Sequence, residues 1–328
     1  MRSNDEGCIR PRSIKNVEKR FKLGDLAITP VPVDHSLPGA CAYIIETSAG
    51  NIVYTGDIRF HGRNASLSDA FVKQAKKAKP VLMLCEGTRI SKETTDSEQG
   101  VLDEASRIIA GTKSLSIANY PIRDLDRMTT FKQAAEENKR TLVVNLKQAM
   151  LLETFKNKGL KAPKLSECDI YIPRKSWGLV TEDMPKEQVE QDYETWERDF
   201  ISRENAVTCN DIKKDEPSYV WRCDFFELKE LLDIKPSAGS SYIRSVVEPF
   251  SDDMLLDNEI SQNWLGHFNI KTTVQAHASG HASGPELRKM VEEIAPVAIV
   301  PIHTENPALF RKFHDDVRII EKGGSLSL

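Results

Sequence analysis

The segment DHSLPGACAYIIETSAGNIVYTGDIRFHG, residues 34–62, contains two runs of strand-forming residues with polar side chains around them. Residues 41–47 and 51–55 are rich in β-branched and aromatic types, and Ser48-Ala49-Gly50 between them is a glycine-containing connection of hairpin length. Residues 26–33, just before this segment, predict a third strand. A sheet is therefore predicted to begin within the first 60 or so residues.

From there to the C-terminus, short apolar runs alternate with helical patterns. Helices are predicted over residues 67–78, 97–110, 124–138, 147–158, 256–268, 284–294 and 306–314. Strands are predicted over residues 81–85, 115–118, 141–144, 272–277 and 298–302. The middle is less regular, with irregular structure predicted at residues 163–177, a highly charged helix at 186–205 and a loop at 236–241. The alternation predicts an α/β fold with a parallel sheet.

Composition places the chain among globular proteins. Of its 328 residues, 40% are hydrophobic and 29% charged, which excludes intrinsic disorder and allows two lobes that share a core. The apolar runs are too short to span a bilayer, and residues 1–20 lack the apolar stretch of a secretory signal, so we expect a cytoplasmic protein with no membrane partner. The net charge of −4 means that a local basic patch or a metal ion would have to attract any anionic partner.

Six cysteines are scattered along the chain without a CxxC pair. This spacing argues against a cysteine zinc site and against a disulfide framework. We therefore expect reduced thiols, most of them with a structural role.

Residues that can bind metal or transfer protons follow five of the predicted strands. They are His35, Asp57, Glu86, the pair His277 and His281, and His303. Ligands of open α/β sheets gather beyond strand ends, so these side chains are predicted to meet at one edge. Histidines and carboxylates are the ligand set of catalytic zinc. The small residues Ser279, Gly280 and Ala282 would bring the backbone close to whatever is bound.

Each motif also has a purely structural interpretation. DHSLPG can form a turn in which Asp34 caps and Pro38-Gly39 bends the chain, and Asp57 can cap a helix. Three further histidines lack a partner motif and are interpreted as surface or core residues: His61, His267 and His314.

Taken together, the motifs resemble those of the metallo-β-lactamase fold. Residues 34–62 look like its third and fourth metal motifs. CEGTR (85–89), HASGHASG (277–284) and PIHTENP (301–307) look like the three further motifs of its nucleic-acid-processing β-CASP branch, which includes the ribonuclease J-like enzymes. The resemblance runs from about residue 22 to residue 320 and rests on the order of all five motifs.

The resemblance implies a partial metallo-β-lactamase αββα sandwich with an inserted β-CASP α/β lobe built on a parallel sheet. Residues 1–92 would form the partial core, residues 93–268 the lobe that clamps RNA, and residues 269–328 the return to the core. It also implies a zinc-dependent ribonuclease that hydrolyses RNA phosphodiester bonds from the 5′ end, internally or both.

The same resemblance implies a site with two zinc ions. His35 and His303 would each bind one ion, and Asp57 would bridge them. Glu86 would orient His281, because a carboxylate bonded to a histidine fixes its tautomer. The residues implied to contact the scissile phosphate are His277, Ser279 and His281. Two close metal ions would generate a hydroxide nucleophile at neutral pH.

One motif of the family is absent. Members carry an HxHxDH motif that supplies most of the zinc ligands, and no histidine precedes His35 here. Three interpretations remain: a metallonuclease whose HxHxDH lies on a separate polypeptide or on coding sequence outside this chain, a non-catalytic RNA-binding or assembly subunit, and a small-molecule metallohydrolase of lactonase type. The long insertion before residue 277 disfavours the third. Relatives often dimerise, so the resemblance also allows a homodimer.

Overall fold

The computed structural model describes residues 19–94, 96–175, 186–272 and 275–327. Its strands are β1 (Phe21–Leu23), β2 (Leu26–Pro32), β3 (Cys41–Thr47), β4 (Gly50–Tyr54), β5 (Leu82–Glu86), β6 (Ser116–Asn119), β7 (Thr141–Asn145), β8 (Asp169–Tyr171), β9 (Ala206–Val207), β10 (Tyr219–Arg222), β11 (Ser241–Arg244), β12 (Lys271–Thr272) and β13 (Ala298–Ile302). Its α-helices are α1 (Ala65–Ala78), α2 (Glu98–Gly111), α3 (Leu125–Glu137), α4 (Leu146–Asn157), α5 (Lys186–Asp192), α6 (Thr195–Ile201), α7 (Cys209–Lys214), α8 (Leu231–Ile234), α9 (Asp252–His267) and α10 (Gly284–Ile294).

The first sheet has six strands in the order β1-β2-β3-β4-β5-β13. The pairings among β1, β2, β3 and β4 are antiparallel, and β5 and β13 continue the sheet in parallel with β4. The β3–β4 hairpin turns at Gly50, whose φ of 124° is a conformation that glycine adopts far more readily than other residues. Since β2 and β4 both run antiparallel to β3, strands β2, β4, β5 and β13 all point the same way. Their C-terminal ends share one edge of the sheet.

Helices α1 and α10 cover one face of this sheet. Each buries a stripe of residues with the i, i+3, i+4, i+7 spacing of a helix that packs on one side. The stripe of α10 consists of Leu287, Met290, Val291 and Ile294. It packs with α1 against the apolar residues that point to the same side of the strands, among them Val31, Ile44, Val53, Met83 and Ile299. This face forms the core of the first half of the fold.

The second sheet has seven strands in the order β12-β11-β6-β10-β7-β8-β9, and all of its pairings are parallel. Helices α2, α3 and α4 contribute to the core on one face, and α7, α8 and α9 contribute to the core on the other. Neighbouring residues of β7 divide between the two cores, with Val143 on one side and Leu142 and Val144 on the other. Such burial on both faces is typical of parallel sheets, and it confirms the predicted parallel arrangement.

Most predicted elements before residue 160 agree with the structure to within two residues at each end. Residues 284–294 and 298–302 form the predicted helix and strand with the predicted bounds. Agreement is best where long helices or fully apolar strands give a clear period.

Several predictions for the rest of the chain were wrong. Residues 186–205 form two short helices, because the capping box between Glu194 and Glu197 starts a new helix after α5. Of the strand predicted at 272–277, Thr272 pairs in β12 and residues 275–277 are not in a strand, while residues 273–274 lie outside the described part.

Three further segments also differ from prediction. The helix predicted at 306–314 is a 3-10 helix, Pro307–Lys312. The irregular segment 163–177 contains the 3-10 helix Leu165–Glu167 and strand β8, and its last two residues are outside the described part. Ser241, placed in a loop, begins β11. These elements are too short for a sequence period to register.

The structure also describes part of the N-terminal segment and five of the six cysteines. Residues 1–18 lie outside the described part, and β1 begins at Phe21. The five described cysteines are free, and four of them are buried. Within the described part of the chain, no helix is long and apolar enough to cross a membrane.

Candidate functional site

The predicted site residues come from the shared edge of the first sheet. His35 lies just beyond β2, Asp57 just beyond β4, Glu86 is the last residue of β5, and His303 directly follows β13. Because these four strands point the same way, their ends deliver the side chains to one place. Asp57 caps no helix, since the next helix, α1, begins eight residues later at Ala65.

Asp57 lies between two imidazoles. Its Oδ1 is 3.1 Å from Nδ1 of His303, and its Oδ2 is 3.9 Å from Nε2 of His35. The other ring nitrogen of His35, Nδ1, is 2.5 Å from the carbonyl oxygen of Gly280, so it carries the proton and donates. In the neutral ring, Nε2 of His35 then carries the lone pair and faces Asp57, which suits metal binding.

His303 is held in an unusual backbone conformation. Its φ is +49°, in the left-handed region that residues with a Cβ rarely occupy. The hydroxyl of Thr88 lies 3.1 Å from both Nδ1 and the carbonyl oxygen of His303, which fixes the ring and the backbone together. The side chain of His303 is 59% exposed and that of Asp57 is 42% exposed, so both are accessible.

Glu86 and His281 form a second pair beside the first. The Glu86 carboxylate is completely buried and accepts hydrogen bonds from the backbone N–H groups of Ile58 (3.2 Å) and Thr88 (3.1 Å). It also lies 3.3 Å from Nδ1 of His281. Burial alone would lower the pKa of His281, but the hydrogen bond and charge of Glu86, with the charge of Asp57, outweigh it and raise that pKa. A carboxylate on Nδ1 leaves Nε2 directed to the ligand side.

Two groups of potential metal donors can be drawn from these side chains. They are His35, Asp57 and His281, and Glu86, His281 and His303, each with ligand atoms within 4.8 Å of one another. His281, predicted to contact phosphate, thus also lies among the donors. Imidazole and carboxylate donors fit zinc, but each side of Asp57 offers few donors and is open. The described residues therefore fit part of a zinc site.

The HASGHA motif is a loop that passes beside these donors. Gly280 approaches His35 so closely that a Cβ at this position would lie 2.9 Å from the ring. The carbonyl of Ala278 accepts from Nη2 of Arg127 (2.8 Å), and that of Ser279 accepts from Nε2 of His61 (2.8 Å). The loop is therefore tied to the protein through its carbonyl groups.

His277 lies apart from the metal donors. Its Nδ1 accepts from Nη1 of Arg127 at 3.2 Å. Burial and the positive charge of Arg127 lower the pKa of His277 to about 4, so the ring is neutral at physiological pH. Any contact of His277 with phosphate would use its Nε2–H.

Sequence reasoning missed a layer of buried charges beneath the loop. We call Arg59, Arg127, Asp34, Glu98 and Asp126 the charge layer. Arg59 lies 2.5 Å from Asp126, 3.3 Å from Asp34 and 3.5 Å from Glu98, and Arg127 lies 2.8 Å from Glu98. Both guanidinium groups are fully buried. Asp34, interpreted from sequence as a turn cap, is a member of this layer.

The carboxylates of the charge layer respond differently to burial. Burial would raise the pKa of Glu98, but Arg127 and Arg59 outweigh it and lower that pKa. Burial raises the pKa of Asp34 and of Asp126, although Arg59 opposes the change in both. Asp124, the N-cap of α3, has its pKa raised to about 6, mainly by burial.

Besides His277, three histidines lie outside the groups of potential metal donors: His61, His267 and His314. His61 is buried, and its Nδ1 lies 3.0 Å from the Glu286 carboxylate. His314 lies 2.9 Å from the carbonyl oxygen of Pro296 through Nε2, and His267 is exposed at the end of α9. These surroundings place His267 on the surface and give His61 and His314 protein partners, and His61 additionally holds the HASGHA loop.

The chain is similar to a metallo-hydrolase domain and to two ribonucleases J. Residues 268–312 match a family described as the Zn-dependent metallo-hydrolase RNA specificity domain, and this range contains the HASGHA loop and His303. The chain is 23% identical over 313 residues to a ribonuclease J of Sinorhizobium meliloti, with 90% of this chain and 49% of that protein covered. It is 24% identical over 286 residues to a ribonuclease J of Mycoplasma pneumoniae, with 83% and 45% covered.

The chain thus resembles ribonuclease J and spans about half the length of these curated relatives. A crystal structure of a protein of unknown function from Enterococcus faecalis V583 has the same fold, with a TM-score of 0.70 and 23% identity over 96% of this chain and 67% of that one. The α/β fold class predicted from the sequence is confirmed by this likeness and by the domain match.

Proposed function

We propose that this chain is part of a zinc-dependent ribonuclease of the β-CASP type, which hydrolyses RNA phosphodiester bonds from the 5′ end, internally or both. One observation carries the proposal: Asp57 lies between His35 and His303 while the Glu86–His281 pair stands directly beside them. The match of residues 268–312 to an RNA-specificity domain and the similarity to ribonuclease J support RNA as the substrate.

The residues divide into two roles. His35, Asp57 and His303 would hold zinc, with Asp57 facing both ions. Zinc at such a site lowers the pKa of a water molecule to near neutrality and offsets the charge that builds up at phosphorus. His281 would donate a hydrogen bond from Nε2 to a phosphate oxygen, and Glu86 keeps its Nδ1 engaged so that Nε2 points outward. Ser279 and His277 would contact the same phosphate.

We further propose that additional polypeptide bearing an HxHxDH motif, continuous with this chain or separate from it, completes the metal site. The support is the face of the first sheet opposite α1 and α10. Its residues form apolar rows that cross five strands: Ile28, Ile45, Ile52, Leu82 and Ala298 in one, and Pro30, Tyr43, Tyr54, Leu84 and Val300 in the next.

The described part of the chain covers this face unevenly. Towards β5 and β13 the face is already buried, since Leu82, Ala298 and Val300 are at most 5% exposed and pack with Leu326. Towards β3 and β4 it is more open, since Ile45 and Ile52 are half-buried and Tyr54 is 36% exposed. An apolar sheet face of this width requires a second layer. A layer placed here would end at the edge where His35, Asp57 and His303 are open, so it could supply the missing donors. A second copy of this chain could cover the same face as a homodimer.

Residues 93–268 would form the RNA-clamping lobe, between the partial core of residues 1–92 and its return at 269–328. A cleft of about 360 Å³ opens where Pro38 of the first half faces the lobe. Its lining includes three cationic side chains, Arg63, Lys132 and Lys161, and one carboxylate, Asp126. Cations in a cleft suit the RNA backbone even though the whole chain is acidic.

The first test is the zinc content of the purified chain after dialysis against metal-free buffer. We expect bound zinc that falls when His303→Ala is introduced and is unchanged in the matched control His267→Ala, whose imidazole is exposed on α9. Zinc content that is the same in both variants would contradict the assigned metal site.

The second test is cleavage of a radiolabelled RNA by this chain mixed with a polypeptide that bears HxHxDH. We expect cleavage that depends on His303 and on both polypeptides. RNA binding without cleavage would instead favour the RNA-binding subunit. Hydrolysis of a lactone without RNA binding would favour the small-molecule metallohydrolase.

A further inference from the structure

Helix α9 and the loop before it carry large apolar side chains on their outer surface. Val247, Phe250, Leu255 and Leu256 are between 48% and 80% exposed, and we call these four residues the α9 patch. Of the 16 residues of α9, all of which the structure describes, only Leu265 is buried. Large apolar side chains that stand together on a surface are typical of a binding site for another macromolecule.

The start of α9 brings these side chains together. Ser251 is the N-cap, and its hydroxyl accepts from the N–H of Met254. Phe250 and Leu255 therefore occupy the positions just before the cap and at the end of the first turn, which lie beside each other in a hydrophobic staple. They nevertheless remain 80% and 55% exposed, so most of their apolar surface is left to solvent.

The loop that carries Val247 is fixed by the rest of the lobe. Arg244 donates from Nη2 to the carbonyl oxygen of Val247 at 2.6 Å, and its Nη1 lies 3.4 Å from that of Val246. The carbonyl of Val246 also accepts from the side-chain amide of Gln275. The α9 patch is therefore arranged before any partner arrives, and binding would cost little conformational entropy on this side.

The charged residues of this segment are all acidic. Residues 245–268 contain five Asp or Glu residues and no Lys or Arg. Asp252 and Glu259 lie on the same side of α9 as Leu255 and Leu256, because residues three and four positions apart are neighbours on a helix. Carboxylates at these positions repel the phosphates of RNA and attract lysine and arginine side chains.

We propose that the α9 patch docks a basic amphipathic helix of a partner polypeptide. The apolar face of that helix covers Phe250, Leu255 and Leu256, and its lysine or arginine side chains pair with Asp252 and Glu259. Packing of an amphipathic helix by its apolar face is a recurring mode of recognition. The acidic border disfavours RNA and anionic membranes as occupants. Docking needs neither zinc nor RNA cleavage, so this inference goes beyond the proposed function.

The test uses a fluorescent synthetic peptide of lysine and leucine, in which the leucines recur every three or four residues to form one helix face. A peptide of the same composition in scrambled order is the control. Fluorescence anisotropy follows binding to the full chain. Leu256→Ser removes one apolar side chain of the patch, and Leu23→Ser on β1 is its matched control, because Leu256 and Leu23 are 56% and 63% exposed.

A second pair of variants tests the contribution of charge. Asp252→Asn combined with Glu259→Gln removes two carboxylates beside the patch. Glu292→Gln combined with Glu293→Gln removes two exposed carboxylates from α10. Both double variants change the net charge of the chain equally, so a difference between them reports the position of the charges.

We expect the wild-type chain to bind the amphipathic peptide with a Kd on the order of 10 µM. Leu256→Ser should weaken binding roughly tenfold and the variant at Asp252 and Glu259 roughly fivefold, while both controls bind as the wild type does. Hydrogen exchange in residues 245–260 should slow when the peptide binds. Equal affinity of Leu256→Ser and Leu23→Ser, or equal binding of the scrambled peptide, would overturn the docking site.

Two other results would assign the patch to a different occupant and also overturn the proposal. One is a wild-type dimer in sedimentation that Leu256→Ser converts to a monomer, which would assign the patch to a second copy of the chain. The other is RNA binding that Leu256→Ser weakens. A chain that binds the peptide at residues 245–260 but never cleaves RNA would refute the nuclease and leave the docking site standing.

Discussion

The open edge at His35, Asp57 and His303 and the charge layer beneath the HASGHA loop use similar residue types for opposite purposes. At the edge, His303 and Asp57 are 59% and 42% exposed and keep most of their bonding capacity free. In the charge layer, Arg59 and Arg127 are fully buried, and their bonds go to protein carboxylates and carbonyls. Groups that receive a ligand keep free bonding capacity, while most polar atoms of the charge layer bond within the protein. Nε of Arg59 and Oδ2 of Asp34 are buried there without a hydrogen bond.

Removing a cation from the charge layer should have the largest effect. We expect Arg127→Met to lower the free energy of unfolding by about 3 kcal/mol, because the buried Glu98 would lose its nearer guanidinium partner and keep only Arg59, at 3.5 Å. Urea denaturation followed by circular dichroism measures this loss. The control Arg107→Met removes an exposed pair with Glu104 and should change stability by less than about 0.5 kcal/mol. If both variants lost equally little unfolding free energy, the charge layer would contribute no more to stability than an exposed ion pair.

Neutralising the open edge should leave stability intact but weaken metal binding. We expect Asp57→Asn to lower zinc affinity about a hundredfold, or about 2.7 kcal/mol, because an amide is a far poorer ligand than a carboxylate. Competition with a chromophoric chelator measures the affinity, with Asp69→Asn on the exposed face of α1 as control. An unfolding free energy reduced as much as in Arg127→Met would erase the contrast between the two regions.

The next prediction is the pH dependence of stability at Asp124, the N-cap of α3, which accepts from the backbone N–H of Arg127 in the charge layer. Burial raises the pKa of Asp124 to about 6, so the folded state binds its proton more tightly than the unfolded state. The ionised group therefore opposes folding at pH 7.5, and this cost disappears as the pH falls through 6 towards the unfolded value. Asp124→Asn keeps the side-chain oxygen that accepts from the Arg127 N–H. It should raise the free energy of unfolding by on the order of 1–2 kcal/mol at pH 7.5. This expectation would be contradicted if the unfolding free energies of the wild type and of Asp124→Asn changed in parallel between pH 4 and 8.

The smallest effect concerns the support of His303. Thr88→Val keeps the shape of the side chain but removes the hydroxyl that contacts the His303 ring and carbonyl. We expect zinc affinity to fall several-fold, on the order of 1 kcal/mol, with stability nearly unchanged. Thr154→Val on α4 removes an exposed hydroxyl and serves as the control. Unchanged zinc affinity would mean that His303 is held by its backbone alone.

The two regions also differ in how far the sequence reveals them. The edge could be predicted, because His35, Asp57, Glu86 and His303 each follow an apolar run that reads as a strand. The structure brings them together, while their roles remain proposals. Short elements such as β9, β10 and α7 lack a period long enough to recognise.

The charge layer could not be predicted for a different reason. Arg59 and Asp126 are 67 positions apart, and a charged residue on a helix pattern is ordinarily assigned to solvent. Only the packing of α2 and α3 beside the first sheet shows that these charges face inward. The anchoring of the HASGHA loop was hidden in the same way, since a sequence gives no direction for a carbonyl group.

Glu98 is 3% exposed and lies near guanidinium groups from both halves of the molecule, Arg59 at 3.5 Å and Arg127 at 2.8 Å. Neither half can therefore be exchanged without regard to the other. A chimaera that exchanged the lobe with that of a relative would have to carry a matching carboxylate at this position, or Arg59 would be buried without one of its counterions. Grafting experiments should therefore transfer this contact as a unit.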